Sequence, residues 1–506
     1  NLYLIKVSLF NENILSDTYE FEYGFKYFSM DCNKGFSLNG KNIKLKGVCM
    51  HHDQGSLGSI ALRSAIQRQI KLLKEMGCNA IRVTHNPAST ILLEECNRQG
   101  ILVIEELFDG WMYPKEENDH DFSEWFKVFI EKDNQILGKL ASETWTEFVI
   151  KSTLNRDKNH PCIIMWSIGN EIQCGCKYFT GFDKEAPNLI RWVQEIDKKH
   201  IVTIGSNGIK ENFNEEHINI ANMLTEAGGA SGGNYLTSDQ FNYFHQEYPK
   251  WCIYGSEAAS SINSRGIYTT KSRSTLDENY QMTSYDKGYV SWGHSAAQAW
   301  FFVIINDFVA GEFVWTGFDY IGEPTPANGE TPGPVLTWPY SPKNSYFGII
   351  DTAGFPKDSY YLYCSLWNEN INTLHILPAW NEDTIIQDLE GNVEVVVYSN
   401  ADKVELYLND KIVGTQEFEI KTTELGYKYK IQKGKDIHPN NLYSTFFVPY
   451  TPGKLYAKGY LKINGEYKEM TNTIGRNIVQ TSKKPSKIIC KANKNIIKAN
   501  GYDLYY

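Results

Sequence analysis

The feature that most limits the fold is an alternation running from residue 44 to residue 316: a short apolar run, a polar or charged residue, then a helical stretch. Lys44–Met50 runs into His51, His52 and Asp53. Ala80–Val83 is closed by Thr84 and His85, and Ile101–Glu106 leads to Asp109. Cys162–Ile168, Ile201–Ile204, Ile218–Met223, Trp251–Tyr254 and Glu312–Thr316 read as the fourth to eighth strands. Between the first strands, residues 64–76 put Ile66, Ile70 and Leu73 on one helical face before Gly77, and residues 88–99 form a helix stopped by Gly100. Continuous apolar runs suit strands buried on both faces, and strands separated by helices pair in parallel. Eight such units predict a closed (β/α)8 barrel, whose chemistry belongs at the C-terminal ends of the strands.

The flanks read differently. Residues 1–30 alternate apolar and polar positions (Leu2, Leu4; Ile5, Val7, Leu9) and predict the last strands of a β-sandwich. LNGK, residues 38–41, is a tight hairpin turn. After Trp367 the helical pattern stops, and Val393–Tyr398, Val404–Leu408 and Leu455–Ile463 predict a second β-sandwich. The expected division is therefore a sandwich end at 1–30, a barrel at 31–370, a sandwich at 371–480 and the truncated start of a further β-domain at 481–506. The chain opens and closes in mid-pattern and without an initiating Met, as a fragment of a longer protein would.

Charge and spacing remove several classes. A net charge of −10 argues against a nucleic-acid or anionic-membrane partner. No membrane span is expected: the most apolar stretch, Ala296–Trp315, is broken by Asn306, Asp307 and Glu312 and reads as a buried helix followed by a strand. The ten Cys lack metal-ligand spacing, and Cys174 and Cys176 form a lone C-x-C pair, so no metal site is assigned. The 32 Tyr, 25 Phe and 12 Trp fill cores and strands, and they also suit the flat faces of sugars.

Two strand ends carry the chemistry. HPCIIMWSIGNEI, residues 160–172, ends its apolar run in Asn170 and Glu171; WCIYGSEAASS, residues 251–261, ends in Glu257. A carboxylate at the mouth of a buried strand is costly as structure and useful as chemistry. Hydrolysis of a glycoside with retention needs two carboxyls about 5–5.5 Å apart, one acid/base and one nucleophile, and Asn170 would hydrogen-bond a sugar hydroxyl between them. Taken singly, Glu171 and Glu257 also read as carboxylates at helix N-termini, and Trp315 as a core residue.

These segments resemble glycoside hydrolase family 2, and within it the β-galactosidases with an extra C-terminal sandwich. HPCIIMWSIGNEI resembles the family's acid/base motif and GSEAASSINSRGIY its nucleophile segment. RVTHNP, ILVIEELFDGW, FVWTGFDYIGEPTP and SYFGIIDTAGFPKDSYYLYCSLW match in order and spacing. LYLIKVSL with YGFKYF resembles the end of its immunoglobulin-like domain, and VELYLNDKIVG its post-barrel sandwich.

The resemblance implies Glu171 as acid/base and Glu257 as nucleophile, with His52, Arg82, His85, Asp109, Asn170, Tyr235 and Trp315 around the sugar. The family's N-terminal jelly-roll domain is absent from this stretch of chain, and Gly228–Gly233 departs from the family pattern before Tyr235. The implied substrate is a β-galactoside oligosaccharide or glycoconjugate, since the Asn-x-Lys pair of the family's β-glucuronidases is not found after the eighth strand. A β-glucuronidase, a β-mannosidase and a catalytically silent carbohydrate-binding protein remain the alternatives. Some members need Mg2+ or Na+, for which no ligand set is assigned, and a homo-oligomer is compatible with the family. The compartment is open, with the resemblance leaning to a secreted or periplasmic protein.

Overall fold

The computed structural model describes residues 2–504, apart from 116–117, 119, 135, 175–179, 210–214, 271–275, 278, 326–342 and 493. Cys176 and the last residue of the FVWTGFDYIGEPTP motif lie outside the described residues.

The chain starts with a hairpin of β1 (Tyr3–Asn11) and β2 (Ile14–Tyr23), then a small antiparallel sheet of β3 (Phe28–Asp31), β4 (Gly35–Leu38) and β5 (Lys41–Asn42). Asn39 and Gly40 both take positive φ in the LNGK turn, which pairs Leu38 with Lys41. This is the twist a two-residue hairpin requires.

Eight parallel strands then close a barrel: β6 (Leu45–Met50), β7 (Ala80–Val83), β8 (Leu102–Glu106), β9 (Ile163–Asn170), β10 (Ile201–Ser206), β11 (Ala230–Asn234), β12 (Ile253–Ala259) and β13 (Gly311–Trp315). Among the described residues eight α-helices accompany them: α1 (Arg63–Met76), α2 (Thr90–Gln99), α3 (Trp145–Asp157), α4 (Phe182–Ile196), α5 (Glu215–Glu226), α6 (Ser238–Glu247), α7 (Ala296–Ile304) and α8 (Asp358–Trp367). Gly77 and Gly100 end α1 and α2 in the left-handed conformation, as the sequence predicts. Phe36, Leu45, Cys49, Ile104, Met165, Tyr254 and Phe313 belong to the core that fills the barrel, and a larger core packs the strands against the helices.

One strand differs from expectation. Ile218–Met223 lies inside α5, where His217, Ile220, Ala221 and Leu224 are buried at helical spacing. The sixth strand is β11, ASGGN, which has no apolar run. Its small residues answer a shortage of room. A Cβ on Gly232 would stand 2.7 Å from Ile204 O and from the Ser256 side chain, and one on Gly233 would stand 2.2 Å from Leu236 Cδ1.

After α8 come β14 (Leu374–Leu377), β15 (Asn392–Ser399), β16 (Lys403–Leu408), β17 (Lys411–Thr422), β18 (Lys428–Gln432), β19 (Ser444–Pro449), β20 (Lys454–Ile463), β21 (Glu466–Glu469) and β22 (Ile478–Gln480). They form two antiparallel sheets, β14–β15–β19 and a second built on β18–β17–β16–β20–β21 with β22 beside β20. Among the described residues after Gln480 there is no strand. No helix among the described residues is long and apolar enough to cross a membrane.

Candidate active site

The site is built where the barrel strands lose their regularity. The pairing of β9 with β10 shifts register before Asn170, and that of β11 with β12 shifts between Gly233 and Asn234, so that Asn234 faces Glu257. Such irregularities re-aim strand-end side chains. Glu171, Tyr235, Ala259 and Ser260 all have φ between +43° and +62°, a left-handed backbone that side chains other than glycine seldom adopt. Local strain of this kind persists only where surrounding structure fixes it, and it concentrates at functional sites. Here Glu171 N donates to Gly205 O at 2.9 Å and Tyr235 N to Glu257 O at 2.7 Å.

A single guanidinium organises the floor. Arg82, on β7, is fully buried. It donates to Glu106 from Nη2 at 2.6 Å and from Nε at 3.1 Å, to Glu257 Oε1 at 2.9 Å and to Asn170 Oδ1 at 2.9 Å. The planar fork of Arg suits several fixed acceptors at once. Burial alone would lower its pKa, but the Glu106 and Glu257 carboxylates outweigh this and hold it well above the ordinary value. Glycine is required at 205 for this approach, because a Cβ there would meet Arg82 Nη2 and Asn170 Oδ1 at 2.6 Å.

Glu257 is held at both oxygens, by Arg82 at Oε1 and by the Tyr235 hydroxyl at Oε2, 2.6 Å away. Glu171 accepts from Asn234 Nδ2 at 2.8 Å, and Asn234 also reaches Asn170 Oδ1 at 3.2 Å. Ser256 Oγ fixes Asn234 from behind at 2.6 Å. Burial and then the nearby Glu257 charge push the Glu171 carboxyl above its usual pKa. The two carboxylates thus meet through one short relay, Glu171 to Asn234 and Asn170, then Arg82, then Glu257. Both line one cavity of about 520 Å³, together with His85, Lys115, Asn170, Tyr235 and Trp315, a size that suits a small organic ligand.

The walls extend the list the sequence suggested. His85 Nδ1 lies 2.5 Å from Glu106 Oε1, and its ring stacks on Trp315 at 5.4 Å with planes 15° apart. Burial would lower the His85 pKa, but the Asp109 and Glu106 charges raise it overall. Asp109 lines the neighbouring cleft rather than the cavity itself; it accepts from Lys115 Nζ at 2.7 Å, and its backbone oxygen accepts from Asn170 N at 2.8 Å. His52 is placed apart. Its Nε2 is 3.0 Å from Pro87 O, and it lines a neighbouring cleft rather than the cavity of the two carboxylates. Its neighbour His51 instead meets Trp315 edge-on at 5.2 Å and His85 at 5.5 Å.

Asn234 and Glu106 were not among the residues singled out from sequence. Asn234 sits on the strand without an apolar run. Glu106 was legible in principle: two adjacent acids end β8, and strand alternation sends one to each face. Glu105 faces the helix layer, where it accepts from Ala88 N at 3.1 Å, and Glu106 faces the mouth. Among the described residues no group of three or more His, Cys, Asp or Glu side chains converges as a metal site.

Comparison with known proteins is decisive for the family. A model described as "Glycosyl hydrolases family 2, TIM barrel domain" matches residues 32–333.

The chain belongs to glycoside hydrolase family 2.

A domain of unknown function matches residues 390–467, within the post-barrel sheets. A β-galactosidase of Bacteroides ovatus is 32% identical, over 100% of this chain and 56% of its own length. A putative β-glucuronidase of Formosa agariphila is 28% identical, over 96% of this chain and 42% of its own. A β-glycosidase structure from Bacteroides vulgatus superposes with a TM-score of 0.75 at 27% identity, covering 100% of this chain and 58% of that one. The chain therefore spans about half the length of the family 2 relatives it matches.

Proposed function

We propose that the complete protein is a retaining exo-β-glycosidase acting on terminal β-D-galactosides, with Glu257 as nucleophile and Glu171 as acid/base. The observation that carries this is the shared cavity in which Glu257 is anchored at both oxygens while Glu171 is pushed toward its protonated form. Divergent environments for two carboxyls mark an acid and a nucleophile.

In the first step a Glu257 oxygen bonds to the anomeric carbon as the glycosidic bond breaks. Glu171 gives its proton to the departing oxygen. In the second, water attacks the same carbon, Glu171 takes the proton, and Glu257 leaves as carboxylate. Asn234 would hold the acid/base, and Asn170 would offer its amide to the sugar. Trp315, backed by His85 and His51, would form the platform beneath the ring.

A neutral sugar fits the electrostatics better than a uronic acid. Lys115 is bound to Asp109 and His85 to Glu106, so both basic side chains among the described lining residues already have carboxylate partners. The 32% identity to a β-galactosidase over the whole chain supports the same choice. β-Glucuronidases also figure among the relatives, one from Bacteroides fragilis at 24% identity. A panel of 4-nitrophenyl β-glycosides, offered to the complete protein and to Glu257→Gln, tests the proposal. Preference for the galactoside, lost in the variant, is expected. Preference for the glucuronide, or undiminished turnover by the variant, would overturn it.

A further inference from the structure

We infer that Glu323, on the loop after the last barrel strand, is a specificity-determining residue that selects a neutral glycone over a uronic acid; this rests on the reading of the cavity as the sugar site.

Glu323 lines the cavity of Glu171 and Glu257 and also the neighbouring cleft that contains His52. It shares this position with His85 and Trp315, while Glu171 and Glu257 line only the first cavity. The anomeric carbon must lie between the two catalytic carboxyls. The seam marked by His85, Trp315 and Glu323 lies where this cavity meets the neighbouring cleft, and on this inference the distal hydroxyls of the hexose lie over it.

The carboxylate is held in place rather than left to wander. The Tyr320 hydroxyl donates to Glu323 Oε2. Tyr320 is itself buried, with its ring 4.4 Å from His51 and 5.8 Å from Trp315. The acid thus stands on the same aromatic group that would carry the sugar.

A carboxylate there has two effects. It accepts a hydrogen bond from a neutral hydroxyl, and such charge-assisted bonds are the stronger kind. A uronic acid offers a second carboxylate at that position, with no proton to donate and a like charge to repel. Discrimination then comes from both attraction to one sugar and repulsion of the other.

The test uses the complete protein and compares kcat/KM on 4-nitrophenyl β-galactoside and β-glucuronide. The leaving group is common, so the ratio reads the glycone alone. Glu323→Gln should lower the galactoside value about tenfold or more, as expected for loss of one charge-assisted bond, and shrink the ratio accordingly. Glu323→Lys should raise the glucuronide value above wild type. Tyr320→Phe, which loosens the carboxylate without removing it, should shift the ratio the same way by less. A ratio within twofold of wild type in Glu323→Gln and Tyr320→Phe, with melting temperature unchanged, overturns the inference alone. Wild-type protein that prefers the glucuronide overturns it together with the galactoside reading.

Discussion

The barrel mouth and the seam between barrel and sandwich both bury charge, with different architecture. At the mouth, Arg82 joins Glu106, Asn170 and Glu257 beside a cavity. At the seam, Asp358 of α8 meets His375 of β14 at 2.5 Å and the Tyr268 hydroxyl at 2.9 Å, and Arg476 Nη2 reaches that hydroxyl at 2.7 Å. Asp358 and His375 sit on ordinary helix and strand backbone, while Tyr268 and Arg476 reach them from connecting segments. At the mouth, Asn170 and Glu257 follow register shifts, and Glu171 and Tyr235 are left-handed. Similar residue types thus serve two ends. A closed network ties two bodies together, while one built on strained strand ends beside a cavity presents its carboxylates to a ligand.

Mutations should separate the two. The largest effect belongs to Glu257→Gln, which should cut kcat on an aryl β-galactoside by roughly 10⁴-fold or more. Its melting temperature should fall less than that of Arg82→Met, because Glu106 still pairs the guanidinium. Glu171→Gln should cost about 10²–10⁴-fold, the range for a positioned general acid. The loss should shrink when an acidic phenol leaves, because that group departs without a proton.

Arg82→Met should damage both properties. It strands Glu106 and Glu257 without their guanidinium, and removing one partner of a buried ion pair costs about 3–5 kcal/mol. Chemical denaturation and steady-state kinetics on one preparation would show the coupled loss. Asp358→Ala should cost stability on the same scale and leave kcat on the aryl galactoside within twofold of wild type. Equal losses of activity in these two variants would erase the distinction between mouth and seam.

The smallest effect is a pH dependence. The Glu171 carboxyl titrates higher in the folded protein than in the unfolded chain, because burial and Glu257 disfavour its charge. The native state therefore keeps the proton longer, and stability falls as pH rises from the ordinary Glu pKa of about 4.3 through the raised value. Glu171→Gln should lift the melting temperature at neutral pH and leave it unchanged near pH 4. Turnover of the wild type should fall as pH climbs through the same raised pKa, since the acid form is then lost.

The sequence revealed most of the barrel because buried parallel strands declare themselves as apolar runs. It failed at β11, where close packing demands glycine and serine and no hydrophobic signal survives. That failure hid Asn234, the residue that holds Glu171. The choice between His51 and His52 was likewise beyond a pattern reading. Adjacent residues at a strand end look alike in sequence, yet the backbone sends one to Trp315 and the other to Pro87 O. The motifs around Glu171 and Glu257 were legible as strand-end acids. What no sequence spacing could supply was the Arg82 bridge, which acts through space across three strands.

The most direct test is covalent trapping. A β-galactosyl fluoride with fluorine at C2 slows the second step, so the glycosyl-enzyme should accumulate on the complete protein. Intact mass should rise by one 2-fluorogalactosyl group, and peptide mapping should place it on Glu257. An adduct on Glu171 or on any other residue, or hydrolysis that inverts the anomeric centre with no adduct at all, would contradict the account.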